Sequence, residues 1–212
     1  MIITALKRQI HRRDRISVFM DDEYAFSLQE LTAAQLVVGQ ELTDEEVRRL
    51  QALDEAERGY SNALHYLSYR PRSEEEVKRY LERKGLRSEQ IEDILNRLDR
   101  ANLVDDQEFA RLWVENREAF RPRGRRALYA ELRQKGVDRQ IIEEAIEDVD
   151  EDAGAIKAAE SRVRRLANLD RQTFYRRLLG FLQRRGFAYD VSRRVTERFW
   201  HQVQAEQESD SD

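Results

Sequence analysis

The chain has 212 residues, no cysteine, and 38 basic against 42 acidic side chains, for a formal net charge of −4. Disulfides, thiolate metal sites and Cys nucleophiles are therefore excluded, and no run approaches the roughly 20 apolar residues that span a bilayer. Charged residues make up 38%, with only eight glycines and two prolines, a balance that suits long solvated helices rather than an all-β sandwich. No apolar leader opens the chain, so a soluble, cytoplasmic protein is expected.

The first 28 residues differ from the rest. Ile2, Ile3, Leu6 and Ile10 precede a polar break, His11-Arg12-Arg13-Asp14. Ile16, Val18 and Met20 then alternate with Arg15, Ser17 and Phe19, and beyond Asp21-Asp22-Glu23, Tyr24, Phe26 and Leu28 alternate with Ala25, Ser27 and Gln29. Period-two runs around a short acidic turn predict a β-hairpin, with residues 2–8 as a candidate third strand. Leu31 to Val38 fits a short helix ended by Gly39. Thr43 with Glu46 forms a capping box that opens a charged helix. Its expected inner face is Val47, Leu50 and Leu53, and Gly59 is expected to break it.

Helical signals dominate from there. Tyr60, Ala63, Leu64 and Leu67 line a helix stopped by Pro71, because the residue before proline avoids α geometry. Ser73 with Glu76 caps a second helix carrying Val77, Tyr80 and Leu81. Lys84-Gly85 closes it, a cation in the last turn followed by a glycine suited to the left-handed C′ position. A third helix opens at Ser88 with Ile91, Ile94, Leu95 and Leu98 inside. The plan repeats. Asp105 and Glu108 start a helix with Phe109, Leu112, Trp113 and Phe120 on its apolar stripe. Leu128 and Leu132 line the next, ended by Gly136, and Asp138 caps one with Ile141, Ile142 and Ile146. A last set spans Ile156–Leu169, Phe174–Arg185 and a helix from about Asp190.

The spacing shows that one pattern is written three times. Arg70-Pro71-Arg72-Ser73 and Lys84-Gly85-Leu86 recur 51 residues later as Arg121-Pro122-Arg123-Gly124 and Lys135-Gly136-Val137. Arg185-Gly186-Phe187 follows after a further 50. A fixed period of this size marks a tandem array. The expected fold is mainly α: three tandem three-helix repeats in an elongated rod curving right or left, with a small N-terminal β-hairpin segment. The expected divisions are 1–58 for the hairpin and helix extension, 59–104, 105–150 and 151–204 for the repeats, and 205–212 for an acidic disordered tail. One such unit buries little apolar surface alone, so stacked copies stabilise one another.

No catalytic constellation assembles from these residues. His11, His65 and His201 are far apart, no glycine-rich phosphate loop or HExxH motif is present, and the paired glutamates sit where helix starts need acids. No cofactor, metal site or enzymatic activity is expected. The Lys/Arg-Gly elements outline a helix–turn–helix, yet the helices after Gly85 and Gly136 are acidic and would repel DNA phosphates. Charge is the informative feature. Residues 161–198 hold eleven arginines and three acids, which points to an anionic partner. Arg70, Arg72, Arg121, Arg123, Arg125, Arg126, Arg176, Arg184 and Arg185 are the candidate contacts, since the guanidinium fork suits carboxylate or phosphate. Only five of the 38 basic residues are lysine, so the Arg preference is general and does not by itself locate a site. Trp113, Phe120 and Phe181 fall on apolar stripes and are expected in the core.

Ala63 through Val77, with Leu81 and Lys84-Gly85, resembles the signature of the RecX regulatory proteins. So do Phe109-Ala110, Trp113-Val114, Arg117, Arg121, Gly124 and Glu131-Leu132 with Lys135-Gly136. Phe181-Leu182 and Arg184-Arg185-Gly186-Phe187 resemble the close of that family's third repeat. The likeness covers about Gly59 to Phe199 and leaves residues 1–58 outside the strong match. It implies three tandem three-helix repeats and a non-enzymatic modulator that binds the RecA recombinase filament on single-stranded DNA. Such a protein restrains RecA ATPase and strand exchange in recombination, DNA repair and the SOS response. A monomer that meets DNA weakly and no membrane is expected. A rival reading is a direct single-stranded DNA binder competing with the recombinase.

Overall fold

The computed structural model describes residues 1–10 and 14–209; His11, part of the expected polar break, lies outside them. The N-terminal segment is a three-stranded antiparallel sheet of β1 (Ile3–Arg8), β2 (Arg15–Met20) and β3 (Glu23–Gln29), in that order. Val18 sits opposite Leu6 on one side and Phe26 on the other. The β2–β3 turn is two residues long, and Asp21 and Asp22 both take positive φ, 48° and 67°. That is the primed-turn geometry whose twist matches the flanking strands, and Asp is among the few non-glycine residues that tolerate it.

Two expectations fail in the next stretch. Only Glu30–Ala33 is helical (α1), and Leu31, Val37 and Val38 are exposed. With so little apolar surface to bury, the predicted helix has no packing to offset its nucleation cost. Then α2 runs without a break from Asp44 to Leu67, opened by the Thr43–Glu46 capping box. Gly59 is buried inside it and does not end it. A Cβ there would lie 2.8 Å from Ile94 Cδ1 and collide with Leu86. Close packing therefore outweighs the roughly 0.5–1 kcal/mol that glycine costs a helix interior. The inner face also turns out differently. Leu53 is half-exposed while Asp54 is buried, its carboxylate 3.0 Å from the Arg15 guanidinium, which also donates to Ser27 O at 2.6 Å. Asp54 in turn accepts from the Gln29 amide. This pair ties β2 and β3 to α2 and explains how two charges stay inside, each hydrogen-bonded as well as paired.

The helices that follow are α3 (Glu74–Arg83) and α4 (Ser88–Arg100), then α5 (Asp106–Phe120), α6 (Arg125–Gln134) and α7 (Arg139–Ile146), then α8 (Glu151–Val163), α9 (Arg171–Arg184) and α10 (Tyr189–Ser209). The second helix of each repeat closes alike. Gly85, Gly136 and Gly186 take φ of 85°, 86° and 88°. Leu86, Val137 and Phe187 then donate back to the carbonyls of Leu81, Leu132 and Leu182. These are Schellman closures, and their apolar flanking pairs seal each turn. Helix α10 continues to Ser209, past position 205 where composition predicts disorder.

The chain divides into two compact units: Met1–Pro71 with Val77–Val104, and Arg72–Glu76 with Asp105–Asp212. The first holds two cores. One joins the sheet to α2 through Ile3, Val18, Leu28 and Leu50, and the other gathers Ala63, Val77, Leu81, Ile94 and Leu98. The second unit also holds two, around Phe109, Leu128, Leu132 and Ile142, and around Phe174, Leu178, Leu182 and Phe187. Fully burying each of these Val, Leu, Ile and Phe side chains stabilises by about 1.5–3 kcal/mol. No helix among the described residues is long and apolar enough to cross a membrane.

Candidate functional site

The second unit contains the same joint built twice. At the first, the Glu74 amide at the start of α3 donates to Asp106, the first residue of α5, at 2.9 Å. Ser73 Oγ donates to Lys135 O at 2.6 Å, so the loop before α3 seats on the α6–α7 turn. At the second, the Arg125 amide at the start of α6 donates to Glu151, the first residue of α8, at 3.0 Å. The Gly124 amide donates to Arg185 O at 3.0 Å, seating the loop before α6 on the α9–α10 turn. In both, an acid brought from another helix answers orphan amides and the positive end of a helix dipole. Glycine is required at the second joint because a Cβ on Gly124 would collide with the backbone of Gly186 and Phe187.

The two joints differ in charge. Lys135 Nζ lies 2.7 Å from Glu76 Oε1 at the first, with both side chains largely buried. The residue 51 positions after Glu76 is Ala127, so the second joint has no such carboxylate for Arg185. Arg185 donates instead to Pro122 O at 3.2 Å and lies over the Phe181 ring, 4.8 Å from its centroid. Burial, and then the nearby charges of Arg123 and Arg121, push its pKa down. Arg123 Nε is 3.4 Å from Glu131 Oε1, an ion pair whose geometry leaves that buried N–H without a hydrogen bond. Glu131 is already shared, accepting from Arg117 Nε at 2.7 Å and Trp113 Nε1 at 2.9 Å. Arg162, 5.5 Å from the centroid of the same Phe181 ring, also has a buried Nε without an acceptor.

At the first joint the Asp106 carboxyl is held above the usual aspartate range. Burial is the main cause, opposed by the Glu74 amide and reinforced by Asp105, Glu75 and Glu76. Exposed caps show the opposite. The Glu46 carboxyl is lowered by the Thr43 amide and hydroxyl, and the Asp170 carboxyl by those of Thr173.

The nine arginines singled out from sequence thus separate. Arg121, Arg123 and Arg185 come together at the second joint. Arg125 turns its guanidinium onto Glu147 O and Val149 O, at 2.7 and 2.9 Å. Arg126, Arg176 and Arg184 are exposed, and like Arg121 they form no hydrogen bond or ion pair through their guanidinium among the described residues. Arg70 lies in the first unit, donating to Pro71 O at 2.8 Å, while Arg72 belongs to the second.

Phe120 corrects the sequence reading. It is 78% exposed at the end of α5, beside Arg121, rather than buried on the apolar stripe. Its counterpart 51 residues earlier, Tyr69, is 70% exposed, but its hydroxyl is 2.9 Å from His65 Nε2. A signal was available: both aromatics directly precede Arg-Pro-Arg, beyond the last turn that the core can reach. Trp113 and Phe181 are half-buried against the cores, as expected. Among the described residues, no group of three or more His, Asp or Glu side chains converges as around a metal ion.

An N-terminal three-stranded sheet followed by three helical triplets with shared closures defines a tandem three-helix-repeat protein. The models for the first, second and third three-helix domains of RecX match residues 60–98, 105–146 and 150–196, and the model for the RecX N-terminal domain matches residues 1–43. The chain belongs to the RecX family, and the last of these matches extends the likeness into the segment that sequence reading left outside it. The regulatory protein RecX of Bacillus subtilis (strain 168) is 34% identical over 194 residues, covering 89% of this chain and 74% of its own. That of Amycolatopsis mediterranei (strain U-32) is 46% identical over 124 residues, covering 57% and 71%. A crystal structure of regulatory protein RecX superposes with a TM-score of 0.71 at 26% identity, covering 92% of this chain and 98% of that one. RecX from Lactobacillus salivarius gives 0.63 at 25%, covering 69% and 97%.

Proposed function

We propose that this chain binds the RecA recombinase filament on single-stranded DNA and modulates it, mostly by inhibiting ATPase and strand exchange, in DNA repair, recombination and the SOS response. The observation that carries the reading is the family membership, with all four RecX domains matched along the chain. The curated relatives are named as regulatory proteins, which supports a binding rather than an enzymatic role. A repeat array suits a helical filament, because each module, at 59–104, 105–150 and 151–204, can meet a successive protomer and weak contacts add through effective concentration. The protein would act as a soluble cytoplasmic monomer. Its cationic contacts would be Arg70, Arg72, Arg121, Arg123, Arg125, Arg126, Arg176, Arg184 and Arg185. Arg125 has its guanidinium committed to backbone carbonyls, so the exposed Arg121, Arg126, Arg176 and Arg184 carry more of that role.

The test is recombinase ATPase on single-stranded DNA, titrated with this protein. Inhibition at protein concentrations well below that of the recombinase supports filament modulation. Inhibition only where the protein saturates the DNA supports simple competition, and no inhibition with the cognate recombinase would sink the reading.

A further inference from the structure

The second joint carries a feature that family membership does not assign. Three guanidiniums, of Arg121, Arg123 and Arg185, crowd one turn, and the carboxylate that pairs with Arg123, Glu131, is already shared with Arg117 and Trp113. The first joint, whose loop reaches the equivalent carbonyl through the Ser73 hydroxyl, neutralises its cation with Glu76. Burial first, and then the charges of Arg123 and Arg121, lower the basicity of Arg185, and a bound anion offsets the like-charge repulsion. An aromatic ring, Phe120, directly precedes Arg121 at the end of α5 and is 78% exposed. A ring face next to a guanidinium group meets the two chemistries that a single strand offers together, an unpaired base and its phosphate. An acidic protein face would use the charge and leave the ring uncovered.

We infer that the turn around Pro122 is a contact site for single-stranded DNA, in which Arg121, Arg123 and Arg185 hold a phosphate and Phe120 stacks on the adjoining base. The identity of the strand as DNA rests on the filament reading above; the phosphate and base chemistry rests on the joint. Glu131 holds Arg123 in place. Pro122 O, accepting from Arg185, holds the third guanidinium. The whole arrangement depends on Ala127 standing where the first joint has Glu76.

The experiment is fluorescence anisotropy of a labelled short oligothymidylate with the full chain, without recombinase, over a series of salt concentrations. Three variants accompany it: Phe120→Ala, Ala127→Glu and Tyr69→Ala. Phe120→Ala removes only an exposed ring, so it should fold normally and weaken binding by about 5- to 150-fold, the range for losing one stacked base. Ala127→Glu places a carboxylate against Arg185 as Glu76 stands against Lys135, and should weaken binding while reducing the salt slope by about one phosphate contact. Tyr69→Ala should bind like wild type. Unchanged affinity in Phe120→Ala and Ala127→Glu, or no binding by wild type, would overturn the inference. So would loss of recombinase inhibition in Ala127→Glu with oligothymidylate binding intact, which would assign the patch to an acidic protein face. Failure of the wild-type protein to inhibit the recombinase, with binding lost in both variants, would sink the filament reading alone.

Discussion

The two joints of the second unit share a backbone plan and differ in one carboxylate. Ser73 and Gly124 occupy the same place, as do Lys135 and Arg185, and each seats a loop on a glycine-closed turn. At the first, Glu76 pairs with the cation inside the joint. At the second, the equivalent residue is Ala127, and the cation faces two more arginines. What the contrast teaches is that a repeat array can keep its geometry while one position per copy decides whether a joint is sealed or open to an anion. The aromatic before each Arg-Pro-Arg follows the same division. Tyr69 is bonded to His65, and Phe120 stands free.

The largest expected effect breaks the geometry itself. Gly124→Ala puts a Cβ into the backbone of Gly186 and Phe187, which cannot yield as a flexible side chain would. The expected loss is about 3 kcal/mol, or roughly 6–12 °C in the melting midpoint for a chain of this size, read by thermal denaturation. A melting curve like that of wild type would mean that the joint is loose.

Next comes the sealing pair. Lys135→Met leaves the Glu76 carboxylate in a mostly buried position without its lysine, at a cost of about 2 kcal/mol in urea denaturation. The equivalent change, Arg185→Met, removes a cation already crowded by Arg123 and Arg121. It should cost about 1 kcal/mol or less, the loss of one hydrogen bond to Pro122 O. Equal losses at the two positions would erase the distinction between a sealed and an open joint.

The smallest effect concerns pH. The Asp106 carboxyl is held above its usual range, chiefly by burial, so the folded chain binds that proton more tightly than the unfolded chain does. Ionised Asp106 therefore opposes folding above its folded pKa, and the opposition disappears as pH falls below the ordinary aspartate range near about 4. Asp106→Asn keeps an acceptor for the Glu74 amide. It should be more stable than wild type at neutral pH by less than about 0.5 kcal/mol and indistinguishable in acid. Glu46 and Asp170, whose carboxyls are lowered by their cap hydrogen bonds, work in the opposite direction. Their stabilisation is complete above the ordinary carboxylate range and fades as pH falls through their lowered pKa values. A growing advantage of Asp106→Asn as pH falls would contradict the assigned direction.

Much of the fold was legible because its signals are local. The caps at Thr43, Asp105 and Asp138 and the glycines at 85 and 136 all act within one turn of the chain, and each does what its residue type predicts. The failures are places where a distant partner decides. Gly59 reads as a helix breaker until Leu86 and Ile94 are seen against it. Leu53 reads as core and Asp54 as surface until Arg15 arrives from β2. The arginines look alike in sequence, yet the carbonyls of Glu147 and Val149 occupy Arg125, and the absence of a second Glu76 leaves half-buried Arg185 without the carboxylate that Lys135 has. Phe120 misled for a simpler reason. Helical periodicity assigns a face, and at the last turn of α5 that face has run past the core.

The most direct test of the open joint as the working surface is recombinase ATPase on single-stranded DNA, titrated in parallel with wild-type protein and with Ala127→Glu. Wild type should inhibit at concentrations below that of the recombinase. The variant, its Arg185 paired in place, should need about tenfold more protein for the same inhibition, the equivalent of about 1.4 kcal/mol of lost contact. Superimposable titrations from two equally stable proteins would contradict the account.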